Sequence, residues 1–417
     1  MKKIIIVGGG ISGLSARYFL SKKYPDTEIT LLEKSARLGG CIDSEHQSFF
    51  FEKGPRTFKF SRSSALLKLI EELRLQSEIL PSNKEAERRY LWKDQQMQTP
   101  FLLLLKMLLP LLSEWRKPVS SQKDETIEAF VKRRLGTYAA QTFFDPLTLG
   151  IYAGDIRKLS VRSCFPMLKA LELQYGSLTK GILKSKKKQK QKGLFTLRGG
   201  VQSLVEQLIK QGRGPIHLNT PLSKIEENSH PLVLALPPQG MRTLLQGEPI
   251  AQAFFKHLEL ASLTVVNLGY KESVLKKKGF GYLIPSNEGQ EVLGVVFDSC
   301  IFPEQSQEVQ ETRLTVMLGG AFHPHLAPSQ CLVKAEEALK EHLGITVSPT
   351  FSQVTHYPDT IPQFGVGHQE RVEVFKKEMQ KRYPHVTCIG NYLQGVSVND
   401  CIHLAQVSVE KGLFNSL

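Results

Sequence analysis

KKIIIVGGGISGLSARYFLSKK, residues 2–23, decides the fold. Residues 2–7 read as a short buried strand, with the apolar run Ile4 to Val7. Gly8, Gly9 and Gly10 interrupt it, and helical spacing then runs from Ile11 until Pro25 and Asp26 break it. EITLLEK, residues 28–34, reads as a second strand carrying an acid, Glu33, near its end. The result is a βαβ opening, with Gly8, Gly10 and Gly13 at GxGxxG spacing. Gly8 permits the tight turn, Gly10 lets the backbone approach a pyrophosphate, and Gly13 allows close helix–strand packing. The helix N-terminus, beginning at Ile11 and Ser12, stabilises phosphate charge, and Glu33 lies 20 positions after Gly13, where it can accept hydrogen bonds from a ribose. An ordinary βα turn with a solvated Glu33 is the bland alternative. The coincidence of strand, glycines, helix and acid weighs against it.

Around this opening, 417 residues suggest two or three domains. Residues 95–185 read as mostly helical and close on KSKKKQKQK, 184–192. Gly193 starts a turn into an amphipathic helix, and PLSKIEE (221–227) and PLVLALP (231–237) read as strands. LASLTVVNLGY, GFGYLIP, EVLGVVFDS and RLTVMLGG make 260–320 strand-rich. VTCIGNYL reads as a strand near the end, and NDCIHLAQVSVEKGL as a final helix with Asn399 or Asp400 as N-cap and Ile402, Ala405, Val409 and Leu413 on one face. The fold class is therefore α/β: a discontinuous Rossmann-type domain (1–80, 194–237, 380–417), an inserted helical domain (93–193), and an α+β substrate domain (81–92, 238–379).

Composition narrows the function. Lys and Arg number 54 against 40 Asp and Glu, a net charge of +14 that favours anionic partners. Cys41, Cys164, Cys300, Cys331, Cys388 and Cys401 are scattered, which excludes a disulfide scaffold or zinc ribbon and fits a reducing cytosol. The histidines lack metal spacing, and no side-chain arrangement suggests a catalytic nucleophile. The opening apolar run is too short for a secretory signal. The longest apolar candidate for a membrane span, FLLLLKMLLPLL at 101–112, is broken by Lys106 and Pro110. The lysine run carries no interleaved aromatics, so nucleic acid is not an expected partner.

After Glu33 comes Lys34-Ser35-Ala36-Arg37-Leu38-Gly39-Gly40, which resembles the second FAD fingerprint of the two-dinucleotide-binding-domain flavoproteins. Beyond it the chain resembles the oxygen-dependent protoporphyrinogen oxidases, within the monoamine-oxidase-like FAD superfamily. The motifs run in order across most of the chain. They are Gly54-Pro55-Arg56, GIYAGDIRKLSVRSCFP (150–166), LRGG (197–200), VVNLGY, GFGYLIPS, VMLGG, IPQFGVGH (361–368) and GVSVNDCI (395–402). Phe364 and Leu393 depart from positions that are often Tyr in that family. The cysteine pattern that bonds flavin covalently in monoamine oxidases is missing, so the resemblance implies non-covalent FAD.

By that resemblance, Lys34, Arg37, Gly39, Gly40, Gly54, Pro55 and Arg56 lie along the cofactor, with Gly390 and Asn391. Leu222 meets its adenine end. Val396, Ser397 and Val398 contact the flavin pyrimidine from the last helix, whose positive end favours charge on the reduced ring. Arg89 pairs with a substrate propionate, while Phe280, Gly281 and Leu283 flank the tetrapyrrole. The implied reaction oxidises protoporphyrinogen IX in haem biosynthesis by hydride transfer to flavin N5, with dioxygen reoxidising the flavin to give hydrogen peroxide. No side chain is assigned as catalytic. Coproporphyrinogen III oxidation by the same chemistry is the nearest alternative. Other flavin amine oxidases, desaturases and a non-redox FAD-binding protein follow. The family's helical insertion contacts the membrane, so residues 101–112 and the lysine run imply a cytoplasmic enzyme peripheral on the anionic inner membrane. A homodimer and contact with the next haem-pathway enzyme are further expectations.

Overall fold

Burial makes the opening run a strand. Lys3–Val7 (β1) is the middle strand of a five-stranded sheet, with Ile4 and Ile6 fully buried. Glu28–Leu32 (β2) flanks it, with Ile216–His217 (β3) at that edge. On the other side lie Leu232–Leu234 (β4) and Val386–Cys388 (β5), giving the order β3-β2-β1-β4-β5 with every pairing parallel. Parallel strands covered on both faces read as continuous apolar runs, which is why β1, β2 and β4 are visible in the sequence. The helix Ile11–Lys23 (α1) links β1 to β2. This is a computed structural model, and it describes residues 3–61, 64–185, 193–226 and 230–411. The segment expected as a strand at 221–227 is coil over residues 221–226. Pro221 brings no N–H, Lys224 and Glu226 face solvent, and β3 takes the sheet edge instead.

A seven-stranded sheet forms the second layer. Glu259–Tyr270 pairs antiparallel with both Phe351–Gln363 and Thr312–Gly319. Val292–Val296 and Gly281–Leu283 extend the sheet. Its far edge is a hairpin, Arg89–Lys93 with Gln96–Gln98, turned by Asp94 and Gln95 in the left-handed region. The hairpin thus carries strand to Gln98, past the expected start of the helical insertion. The strand at 351–363 is invisible to the pattern because Pro358 and Pro362 interrupt it. It lies at the sheet edge, where a missing N–H costs no ladder bond. Residues 238–258 and 364–379, grouped in the sequence with this sheet, instead bury Met241, Phe254, Phe255, Phe375 and Met379 in the core shared with the five-stranded sheet.

Helices dominate residues 100–185, including Ile127–Leu135, Pro166–Tyr175, Leu178–Ser185 and Asp145–Tyr152 (α2). A buried ionic knot holds the block. Glu114 and Arg134 are both fully buried and pair directly. Arg134 also donates to the carbonyls of Lys117 and Gly176, each at 2.9 Å. Burial opposes ionisation of Glu114. Hydrogen bonds from Ser177, the Leu178 N–H, Thr179 and Arg134 outweigh it and hold the carboxyl at about 2.

The final helix, Val398–Glu410 (α3), packs along α1, and Lys23 Nζ donates to the Val409 carbonyl at 2.6 Å. Its N-cap is Ser397, not Asn399 or Asp400. Asp400 closes a capping box, its carboxylate accepting from the Ser397 N–H while its own N–H donates to Ser397 Oγ. Asn399 instead reaches the start of the helix Ala65–Glu72, accepting from Ser64 Oγ at 2.8 Å and the Leu66 N–H at 3.1 Å. Ile402, Ala405 and Val409 form the buried face, and Leu413 lies outside the described residues.

Candidate functional site

The turn between β1 and α1 has the geometry its glycines require. Gly8 has φ +106, and a Cβ on Gly13 would lie 1.9 Å from the Gly8 carbonyl oxygen. A Cβ on Gly10 would meet no protein atom within 4 Å, because it faces open space. That space is a cleft of about 300 Å3 lined by Gly8, Gly10, Ile11, Ser12, Glu33, Lys34, Gly39 and Gly40. Pro55, Gly390, Asn391, Val396 and Val398 line it too. The α1 N-terminus opens here with Gly10 as N-cap, no side-chain cap and no acid in the first turn, so its N–H groups suit an anion. Glu33 accepts from the Gly9 N–H at 2.6 Å and the Ser35 N–H at 2.9 Å, which fixes its carboxylate beside the glycine turn. A cleft open over Gly10 at an uncapped helix N-terminus, with an acid at the end of the second strand, fits FAD.

Six expected cofactor residues do not line this cleft, and two of them, Gly54 and Arg56, line the adjoining chamber instead. Gly13 acts through packing. Arg37 folds back and donates to the carbonyls of Leu38 and Ile42, each at 3.1 Å, so it braces the loop that carries Gly39 and Gly40. Ser397 caps α3. Leu222 packs on the core while its neighbours Thr220 and Pro221 line the cleft.

The cleft continues into a chamber of about 270 Å3, and Cys41, Pro55, Asn391 and Val396 line both. Gly54 and Arg56 line the chamber as well. Arg56 is bound internally, donating to Asp298 Oδ1 at 3.2 Å and the Glu52 carbonyl at 3.4 Å, and so ties its loop to the second sheet. Behind it, Glu52 accepts from the Val201 N–H at 2.8 Å, which places the LRGG turn against this loop. Burial pushes the Glu52 carboxyl up to about 7. The chamber walls are apolar: Leu149, Leu263, Val265, Leu293, Met317 and Ile361.

A third cavity of about 160 Å3 adjoins the chamber, sharing Gly150, Ile151, Leu293 and Met317 with it. Arg89, Phe280, Gly281 and Leu283 line it together. The Arg89 guanidinium lies 5.0 Å from the Phe280 ring centre. Gly150, on α2, makes the neck between the two cavities, since a Cβ there would approach Leu283 Cδ2 to 2.9 Å. Asp145 anchors α2 by accepting from the Ser286 N–H at 2.6 Å and Ser286 Oγ at 3.0 Å. Cys41, Leu149 and Tyr357 lie outside the quoted motifs, and Gly150, Ile151 and Ile361 lie inside motifs to which no cavity role was attached, so sequence reasoning missed them. A larger cleft of about 720 Å3, around Arg162, Glu370 and His403, shares no lining residue with these three cavities.

Comparison with known proteins agrees with this architecture. Residues 11–406 match the family model described as flavin containing amine oxidoreductase. The chain is 32% identical to human protoporphyrinogen oxidase, covering 96% of each. It is 26% identical to the coproporphyrinogen III oxidase of Bacillus subtilis, covering 99% of this chain and 98% of the other. A crystal structure from Exiguobacterium sp. 255-15, provisionally assigned as a protoporphyrinogen oxidase, superposes with a TM-score of 0.86 at 23% identity, covering 100% of this chain and 99% of that one. The protein is an FAD-dependent oxidoreductase of the flavin-containing amine oxidoreductase family, and within that family it belongs with the protoporphyrinogen oxidases.

Proposed function

We propose that the protein oxidises protoporphyrinogen IX to protoporphyrin IX, with dioxygen as the final electron acceptor. The observation that carries this reading is the continuity of an FAD cleft with an apolar chamber whose outer cavity holds Arg89. Bound FAD supplies the hydride acceptor and its reoxidation by dioxygen. The chain's part is binding and orientation. Gly8, Gly10 and the α1 N-terminus hold the pyrophosphate, Glu33 the ribose, and Gly39, Gly40, Pro55, Asn391, Val396 and Val398 bound the rest of the cofactor. Leu149, Leu293, Met317 and Ile361 exclude water around the macrocycle, and Phe280 and Leu283 flank it further out. Arg89 pairs with a propionate.

Charge favours the dicarboxylate. Arg56 and Arg89 are the cations lining the two substrate cavities among the described residues, and Asp298 already neutralises Arg56. Additional carboxylates taken into such a cavity lack partners. Coproporphyrinogen remains the second reading because Lys276, Lys277 and Lys278 are exposed just before Phe280, where they can meet further carboxylates from outside.

The test is a paired assay of the holoenzyme in air on protoporphyrinogen IX and coproporphyrinogen III, following porphyrin fluorescence and hydrogen peroxide, with Arg89→Ala alongside. The expected result is a higher kcat/KM on the first. The variant should raise KM about 10-fold with little change in kcat, as the loss of one partly exposed charge-assisted hydrogen bond implies. Preference for the tetracarboxylate would move the enzyme to the second reading, and unchanged KM would remove Arg89 from the site.

The helical block supports a proposed place of work at an anionic lipid surface. Phe101, Leu109 and Leu112 are 71%, 79% and 69% exposed, and Met167, Leu173 and Leu183 on neighbouring helices are 67%, 64% and 59% exposed. Lys106, Lys180 and Lys184 stand over the rings of Tyr138, Trp115 and Tyr175, within or beside this apolar face. Most of the lysine run, 186–192, lies outside the described residues. No helix among those described is long and apolar enough to cross a membrane, so the contact is peripheral in this reading. Leu109→Asp with Leu112→Asp should reduce flotation with phosphatidylglycerol vesicles about 10-fold or more, given ~1.5–3 kcal/mol for each buried leucine. Undiminished flotation would return this face to solvent or to a protein contact.

A further inference from the structure

The chamber next to the FAD cleft is apolar except on its floor. Setting aside the residues it shares with the cleft, its polar side chains are Arg56, Tyr357 and Thr360. Arg56 is bound to Asp298. The Thr360 hydroxyl hydrogen is committed to the Pro358 carbonyl at 2.9 Å. Tyr357 differs. Its ring rises from the edge strand Phe351–Gln363 and is half-buried, and its hydroxyl stands beside Gly54, 3.7 Å from where a Cβ on that glycine would sit. The hydroxyl makes no hydrogen bond to any described residue. Burial pushes its ionisation well above the ordinary tyrosine value, so it stays a neutral group with both donor and acceptor capacity. A hydroxyl without a protein partner in a largely apolar chamber loses water contact when a ligand fills the space, and that loss costs binding energy unless the ligand replaces the hydrogen bond.

The reduced macrocycle can replace it. In a porphyrinogen every pyrrole nitrogen carries a hydrogen, and the saturated bridges let the rings tilt so that these N–H groups point out of the mean plane. In the porphyrin product the ring is flat, and the remaining N–H groups point inward to imine nitrogens. We propose that Tyr357 is a substrate-contacting residue whose hydroxyl accepts a hydrogen bond from a pyrrole N–H of the porphyrinogen and so makes the chamber favour the reduced macrocycle over the aromatic product. The inference rests on the porphyrinogen reading given above. It adds a determinant of product release, because the three oxidation rounds together remove two of the four N–H groups and turn the other two inward, away from this hydroxyl.

The test is Tyr357→Phe in the FAD-loaded enzyme. Anaerobic stopped-flow bleaching of the flavin, at varied protoporphyrinogen, gives a substrate dissociation constant and a limiting rate. Quenching of tryptophan fluorescence by protoporphyrin gives the product dissociation constant. The expected result is a substrate constant raised about 5- to 10-fold, in line with one hydrogen bond of ~1 kcal/mol or slightly more, with an unchanged product constant and unchanged flavin content. Equal weakening of substrate and product would reduce Tyr357 to a packing role and overturn the proposal, as would no change in either. A wild-type flavin that protoporphyrinogen and coproporphyrinogen both fail to bleach would defeat the underlying functional reading. Normal bleaching with an indifferent variant would defeat this inference alone.

Discussion

Gly10→Val is expected to yield a folded protein without flavin. A Cβ at this position meets no protein atom within 4 Å, so the valine side chain finds room in the chain itself. It occupies the space over the uncapped α1 N-terminus, where under the proposed assignment the FAD pyrophosphate would accept hydrogen bonds from backbone N–H groups. Losing two charge-assisted bonds of ~1.5–2 kcal/mol each weakens FAD by about 100-fold or more, before steric overlap is counted. The purified variant should be colourless, with a far-ultraviolet spectrum like that of the wild-type apoprotein. Gly13→Val is the contrasting control, since its Cβ would strike the Gly8 carbonyl at 1.9 Å and the damage should appear in folding itself. A Gly10→Val protein that stays yellow would remove the pyrophosphate from this turn.

Arg134→Ala is expected to cost about 3–5 kcal/mol of stability, the range for removing one partner of a buried pair. Glu114 would be left fully buried without the cation that it faces, and the carbonyls of Lys117 and Gly176 would each lose a donor. Urea unfolding should show the midpoint falling accordingly, while FAD affinity measured on the folded protein changes little. Acid gives an independent check. The Glu114 carboxyl is held at about 2 in the folded protein, below its ordinary unfolded range. Its contribution is therefore complete above the unfolded value and is lost as pH falls through the folded one. The stability gap between wild type and Glu114→Gln should be widest at neutral pH and close towards about pH 2. A gap independent of pH would place the stabilisation in packing rather than in charge.

What the sequence reveals tracks how local the cause is. β1, the glycine turn and α1 follow from neighbouring residues, so their pattern survives in one short stretch. The Ser397 cap was legible in principle, because Ser-x-x-Asp is a local signal, yet Asn399 and Asp400 drew the reading past it into the first turn. The edge strand 351–363 was not legible: its prolines argue against a strand, and only its place beside Glu259–Tyr270 makes one. The site divides in the same way. Cleft residues near glycine motifs were found, whereas Arg37 and Arg56, which share those motifs, turned out to brace loops through Ile42 and Asp298. Tyr357 and Gly150 belong to the substrate cavities only because two distant segments close around one space.

The five-stranded sheet takes β1 and β2 from the start of the chain and β5 with α3 from residues beyond 385. During synthesis the glycine turn therefore emerges long before Gly390, Asn391, Val396 and Val398 exist to close the cleft over it. An incomplete chain leaves the β4 edge unpaired and the apolar face of α1 uncovered, the exposed surfaces that chaperones hold and proteases cut. FAD can stabilise only the finished arrangement, by an amount set by its concentration relative to its dissociation constant. Stabilisation by FAD is thus coupled to the docking of β5 and α3, the last described segments to join the cleft.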